Sequence, residues 1–171
     1  MKTLILYSSH DGQTKKIAHF LAEQIGNSDV ADLAQSAVKN LEEFDRIVIG
    51  ASIRYGHFNK QLYQFIEKQT ALLNSKNTAF FGVNLTARKE GKNTPETNVY
   101  VRKFLQRISW QPKLAAVFAG ALLYPQYHWF DRMMIQFIMK LTNGETDSSK
   151  EIEYTDWDKV KEFAESIKML N

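Results

Sequence analysis

The chain contains no cysteine in its 171 residues, which removes disulfides, thiolate metal sites and thiol nucleophiles together. No metal is expected. Its three prolines, Pro95, Pro112 and Pro125, all fall between periodic segments. Internal repeats, low-complexity tracts and Gly/Ser linkers are missing, so residues 1–171 are expected to form a single domain. No run approaches the roughly 20 apolar residues of a membrane-spanning helix. A secretory leader is not expected either. Met1-Lys2 leads straight into Thr3-Leu4-Ile5-Leu6-Tyr7, a strand-length run with no small-residue cleavage site behind it. A cytoplasmic location is therefore expected.

What is present suits a soluble globular chain: 44% hydrophobic and 24% charged residues exclude wholesale disorder. Net charge is +3 and unevenly distributed. The stretch 84–113 is strongly basic, with Arg88, Lys89, Lys92, Arg102, Lys103, Arg107 and Lys113 against Glu90 and Glu96, whereas 143–171 is acidic. A basic block of this kind serves an anionic ligand, nucleic acid or an anionic lipid surface, or is simply a solvated face.

Thr3–Tyr7, Arg46–Ala51, Thr78–Val83 and Ala115–Leu122 are short, nearly continuous apolar runs rich in β-branched or aromatic residues. They read as strands buried on both faces of a parallel sheet. Asp29–Leu33 reads as an edge strand. Helical periodicity lies between them, in Lys15–Ile25, Asn59–Leu73, Val99–Ile108 and Trp157–Leu170. The alternation predicts a doubly wound α/β fold with a five-stranded parallel sheet in the flavodoxin-like order 2-1-3-4-5.

One stretch exceeds that plan. After the fifth strand about 35 residues (122–156) intervene before the last helix, far beyond an ordinary connection. Within them Trp129, Phe130, Met133, Met134, Phe137, Ile138 and Leu141 fall on one helical stripe, with Ile135 and Met139 on its flank. The stripe suits an interfacial helix or an apolar wall beside a ligand, or it docks on the domain's own sheet.

The chemistry is expected where the strands end. The first turn, Ser8-Ser9-His10-Asp11-Gly12-Gln13-Thr14, brings hydroxyls and a glycine to a helix N-terminus. Converging backbone N–H groups and the helix dipole there favour a phosphate, with Ser9 and Thr14 as donors. It is neither the Gly-rich dinucleotide fingerprint nor the Lys-bearing triphosphate loop, and it would also serve as a plain capping turn. The third strand ends in Ser52-Ile53-Arg54-Tyr55-Gly56-His57, at the switch point beside the first strand. Such a loop would wrap an isoalloxazine ring, Tyr55 stacking and the Ser52–Arg54 backbone at the ring edge. The fourth strand runs into Asn84-Leu85-Thr86-Ala87-Arg88 on the same sheet edge. Arg88 there would face the ring's pyrimidine end or an anionic substrate.

Together the three loops resemble the flavodoxin family, whose phosphate loop Ser/Thr-x-Thr-Gly-x-Thr is matched by Ser9-His10-Asp11-Gly12-Gln13-Thr14. Asp11 departs from that pattern, and its carboxylate must turn away from a phosphate or weaken its binding. More specific strings are Val48-Ile49-Gly50-Ala51-Ser52-Ile53-Arg54-Tyr55-Gly56-His57, Ala87-Arg88-Lys89, Ala119-Gly120-Ala121-Leu122, Gly144-Glu145-Thr146-Asp147 and Tyr154-Thr155-Asp156-Trp157. These resemble, end to end, the flavodoxin-like, quinone-dependent protoporphyrinogen oxidase family of bacterial haem synthesis, which also carries the insertion.

The resemblance implies FMN, held by Ser9, His10, Asp11, Gly12, Gln13, Thr14, Ser52, Ile53, Arg54, Tyr55, Gly56, Asn84, Leu85, Thr86 and Ala87. It implies oxidation of protoporphyrinogen IX in three two-electron steps, with menaquinone or ubiquinone as acceptor. Arg88, Lys89, Trp129, Phe130 and Met133 are the candidates for substrate contact, the cations for its propionates and the apolar groups for its macrocycle. No general base is identifiable. The segment 122–144 is expected to associate peripherally with the cytoplasmic face of the inner membrane, and nucleic acid is not expected as a partner. Rival readings are a flavodoxin-type electron carrier and an FMN-dependent NAD(P)H:quinone reductase. Carriers of that family are typically acidic, whereas this chain is basic.

Overall fold

Leu4, Ile5, Ile47, Ile49, Phe80 and Phe81 are completely buried. Because neighbours along a strand point to opposite faces, both faces of the sheet must be covered. In the computed structural model, which describes residues 1–35 and 40–171, they belong to a five-stranded parallel sheet. Its strands are β1 (Thr3–Ser8), β2 (Ser28–Asp32), β3 (Arg46–Ser52), β4 (Asn77–Asn84) and β5 (Leu114–Ala119), in the order β2-β1-β3-β4-β5. The sheet has the predicted order. β2 is half-buried along its whole length, as its Ser-Asp-Val-Ala-Asp composition requires of an edge.

Helices α1 (Gln13–Ile25) and α5 (Trp157–Lys168) cover one face. Ile17, Ala18, Leu21, Val160, Ala164 and Ile167 pack there on Ile5, Val48, Phe81 and Phe118. Helices α2 (Lys60–Ser75) and α3 (Val99–Arg107) cover the other, where Leu62, Ile66, Val101 and Phe104 meet Leu4, Leu6, Ile49 and Phe80. Asn59 and Asn98 cap the helices on that face, each accepting a bond from an early helical N–H. Gly50 of β3 lies opposite Phe81 of β4, and a Cβ on it would come within 2.0 Å of the Phe81 ring.

One sequence expectation is corrected. Ala115–Leu122, read as a single strand, is two: β5 stops at Ala119 and β6 (Ala121–Leu123) pairs antiparallel with β7 (Glu151–Glu153). β4 ends at Asn84, so past Gly120 the chain has no neighbour in the main sheet and instead takes the strand returning from the insertion.

Within the insertion, helix α4 (Trp129–Leu141) has two buried residues, Ile135 and Met139, packed with Leu122, Tyr124 and Tyr127. Burial of each contributes roughly 1.5–3 kcal/mol. Most of the stripe singled out in the sequence points the other way, while its Met134 and Ile138 border the cavity at the strand ends. Trp129 is 71% exposed, Leu141 69%, Phe130 59% and Phe137 58%. The stripe therefore does not dock on the domain's own sheet. The flank residues do the docking, because α4 is apolar nearly all round and the smaller face fits against the β6–β7 ribbon. Among the described residues no helix is long and apolar enough to cross a membrane.

Candidate functional site

The carboxyl ends of β1, β3 and β4 open into a cavity of about 650 Å³, at the switch point where doubly wound sheets bind ligands and within the ordinary size of a cofactor site. The first wall is the β1–α1 turn. Gly12, at φ 93°, starts α1 without any side-chain cap among the described residues. Only glycine takes that left-handed conformation cheaply, and it leaves the first N–H groups of the helix free to face a ligand. The Gly12 N–H donates to Ser9 Oγ at 2.9 Å, which fixes the turn. The Thr14 hydroxyl is buried and has no hydrogen-bond partner among the described residues. Gln13 binds away from this cradle, donating to Glu153 Oε2 and Thr155 Oγ1 at 3.0 Å each, so the turn is fastened to the end of the insertion.

Asp11 does turn away. Its carboxylate pairs with the Arg54 guanidinium from the β3 loop, and Arg54 also reaches Asp131 on the first turn of α4 at 3.4 Å and lies over the Tyr127 ring. The Tyr55 hydroxyl donates to the same Asp131 carboxylate. Tyr55 and Gly56 both have positive φ, 52° and 79°, inside a tight turn closed by reciprocal bonds between the Arg54 and His57 backbones. A tyrosine in that region is strained, as ligand-clamping loops often are. Desolvation and the hydrogen bond to Asp131 push the Tyr55 hydroxyl up to about 12. The His10 imidazole is held below its ordinary value, first by desolvation against these loops and next by Arg54, with Asp11 and Asp131 opposing. It stands neutral at neutral pH.

The third wall is the 3-10 turn Leu85–Arg88. Asn84 caps it, accepting from the Ala87 N–H at 2.9 Å, and exchanges amide bonds of 3.1 Å with the buried Asn98. Arg88 lines the cavity, but both of its terminal guanidinium nitrogens are engaged. They bind Leu85 O at 2.8 Å, Thr142 Oγ1 at 3.2 Å and Thr142 O at 3.4 Å. Helix α4 is thus tied at its first turn to Arg54 and Tyr55, and beyond its last turn to Arg88. Between these ties Met134, Ile135, Ile138 and Met139 close the cavity with an apolar wall.

Ser9, His10, Asp11, Gln13, Thr14, Ser52, Ile53, Arg54, Tyr55, Gly56, Asn84, Leu85, Thr86, Arg88 and Lys89 all line this cavity. Gly12 and Ala87 do not: one shapes the backbone and the other is buried behind the turn. Trp129, Phe130 and Met133 point outward on α4 and lie outside the lining. Ile138 and Met139 belong to the apolar pattern and Lys92 to the basic block noted in the sequence, whereas Tyr127, Asp131 and Tyr100 were not singled out there. Of these, only Asp131 had a local signal, as the one acid in the helix.

Comparison with known proteins agrees with this geometry. The flavodoxin domain family matches residues 4–149. The protoporphyrinogen IX dehydrogenase [quinone] of Escherichia coli K12 is 51% identical over 99% of this chain and 96% of its own. The chain belongs to the flavodoxin family, in the group of these dehydrogenases. A Leishmania major protein of the same name is 49% identical over 99% of the chain and 75% of its own length. In fold, this flavodoxin-family chain superposes on oxidised Flavodoxin 1 of Bacillus cereus with a TM-score of 0.59, at 19% identity and full coverage of both chains. A Lactobacillus acidophilus flavoprotein solved in complex with FMN gives 0.50 at 18% identity, over 68% of this chain and 92% of its own.

The residues present fit FMN. A buried, unpartnered hydroxyl at Thr14, an uncapped helix start and a left-handed glycine make a phosphate cradle. The one carboxylate in that loop is neutralised by Arg54.

Proposed function

We infer that this chain oxidises protoporphyrinogen IX to protoporphyrin IX, transferring the electrons through FMN to a quinone. The observation that carries this is the 51% identity over 99% of the chain to the E. coli dehydrogenase, joined to a cavity whose free donors suit a flavin phosphate. Removing six hydrogens from the porphyrinogen reduces three quinones to quinols. FMN, when bound, supplies the two-electron chemistry that links a porphyrinogen carbon framework to a quinone.

The chain's own residues bind and orient. Thr14, Ser9 and the first N–H groups of α1 would hold the phosphate, and the pairing of Asp11 with Arg54 would keep a negative charge from opposing it. Tyr55, held by Asp131, would offer its ring to a bound flavin, and the Ser52–Arg54 backbone and the Asn84–Ala87 turn would help to hold the flavin. The apolar face of α4 lining the cavity would limit the access of water to a bound flavin. His10 is the imidazole among the lining residues, and desolvation there favours its uncharged form.

The same reading includes peripheral association with the cytoplasmic face of the inner membrane through residues 122–144. Support comes from the clustering of the exposed Trp129, Phe130, Met133, Phe137 and Leu141 on one helix, since grouped exposed apolar side chains mark interaction surfaces, and from the lipid solubility of isoprenoid quinones. The exposed Lys140 suits anionic headgroups. Arg132 does not, because its guanidinium turns inward to Tyr127 O.

Two experiments test the reading. Turnover of protoporphyrinogen against NADH, with menadione as acceptor, separates it from an NAD(P)H:quinone reductase and from an electron carrier, and oxidation of the porphyrinogen is expected. Quinone-bearing vesicles are expected to sediment the chain but not a Phe130→Ser/Phe137→Ser variant, and equal sedimentation would remove the membrane face. The carrier reading is not favoured by the identity to the dehydrogenases.

A further inference from the structure

The basic block that the sequence offers as an anchor for anionic groups is divided by the fold. Arg88 is the cation nearest the flavin turn, yet its guanidinium is already engaged by Leu85 and Thr142 and lies over the Tyr154 ring. Lys89 and Lys92 also line the cavity. Their ammonium groups form no ion pair or hydrogen bond with any described residue.

The loop that carries them is well braced. Lys92 N–H donates to Lys89 O at 3.1 Å, which brings the two lysines to one turn. Asn98, completely buried, donates to Lys92 O at 2.9 Å and to Asn84 Oδ1 at 3.1 Å. The Thr94 and Thr97 hydroxyls bond each other at 2.7 Å. The lysine turn is therefore bolted, through Asn98, to the residue that caps the flavin-facing turn. Thr97 and Tyr100 line the cavity beside it, and Tyr100 lies close enough that a Cβ on Gly56 would meet its ring at 3.5 Å. A second wall of the same cavity is the apolar inner face of α4.

We propose that Lys89 and Lys92, with Thr97 and Tyr100 beside them, form the subsite for the two propionate carboxylates of the porphyrinogen. The proposal rests on the substrate reading above and names the residues that recognise that substrate. The physical match is one of number and polarity. Two unpaired ammonium groups on one braced turn face two carboxylates, while the macrocycle lies between flavin and the apolar wall of α4. Carboxylates reward a donor only where it is not already satisfied, and that condition selects these lysines over Arg88.

The experiment compares the parent protein with Lys89→Gln, Lys92→Gln and the double variant, each loaded with FMN. Two readouts are taken: KM and kcat for protoporphyrinogen, and binding of the product protoporphyrin IX against its dimethyl ester, followed by porphyrin absorbance. The parent is expected to prefer the free acid, and each Gln variant to raise KM by about tenfold or less, with Lys92 the weaker because it is exposed to solvent. FMN affinity and kcat should stay near the parent values. The double variant should bind acid and ester alike, and Lys89→Arg/Lys92→Arg should restore the preference. Unchanged KM and an undiminished acid preference in the double variant, with the parent active, would overturn the subsite alone. A parent that fails to oxidise protoporphyrinogen would overturn the substrate reading and the subsite with it.

Discussion

Replacing Thr14 by Val should move stability and cofactor affinity in opposite directions. The side chain is completely buried, and its hydroxyl has no partner among the described residues. Valine keeps the shape and the β-branching, so neither a cavity nor a change in χ1 freedom accompanies the loss of the oxygen. In the FMN-free protein the change removes an unsatisfied buried donor, whose cost is about 1–3 kcal/mol. Taking the lower end, the FMN-free Tm should rise by roughly 2–4 °C for a domain of this length. In the complex the same change removes a hydrogen bond to a charged acceptor, a loss of about 1–3 kcal/mol, or about 5- to 150-fold in Kd. Thermal melts of the stripped protein and flavin fluorescence titration read the two quantities separately. Ser9→Ala provides the contrast, because Ser9 Oγ already accepts from the Gly12 N–H and its loss should lower both stability and affinity. A Thr14→Val protein that melts lower without FMN and binds FMN as the parent does would refute the assignment of this hydroxyl to the phosphate.

The ties around α4 and the sheet supply three more expectations. Asp131→Asn removes the charge beside the Tyr55 hydroxyl, so the Tyr55 pKa should fall from about 12 toward its ordinary value while burial still keeps it raised; tyrosinate absorbance, referenced to Tyr55→Phe, measures the shift. His10 has a depressed pKa in the folded protein, so the unfolded chain binds that proton first as pH falls through about 6.5. Its contribution to stability is present above that pH and is lost below it, and denaturant melts of His10→Gln should show a shallower acid-side decline than the parent. Gly50→Ala puts a methyl within 2.0 Å of the Phe81 ring, which is itself enclosed by Phe118 and Phe163. A cost of about 3 kcal/mol is expected by urea denaturation, and a variant as stable as the parent would show that the ring has room to move.

The sheet and its layers were legible from local pattern alone. Continuous apolar runs such as Ile47-Val48-Ile49 have no polar face to offer, so they belong to a strand covered on both sides, and the helical stripes between them dictate crossovers of one hand. The phosphate turn was legible for the same reason, since hydroxyls, a glycine and a helix start are neighbours in the chain. Even the departure at Asp11 was readable as a carboxylate that must face elsewhere. What it faces was not. Its partner Arg54 is 43 residues away and shares Asp131 with Tyr55, another 76 residues on from that tyrosine. No periodicity connects them, because each sits in a loop whose position depends on which strands are adjacent. Arg88 shows the same limit: composition marks it as a free cation, and only the path of α4 brings Thr142 to its donors. Helix α4 itself is apolar on nearly every side, so hydropathy offers two faces of similar merit. The choice to bury Ile135 and Met139 and leave Trp129, Phe130 and Phe137 in solvent comes from the shape of the β6–β7 ribbon beneath it. That ribbon forms where β4 and β5 end together, at the paired Asn84 and Ala119, and the chain past Gly120 has no neighbour left in the main sheet; strand length against a neighbour is a property of the folded sheet.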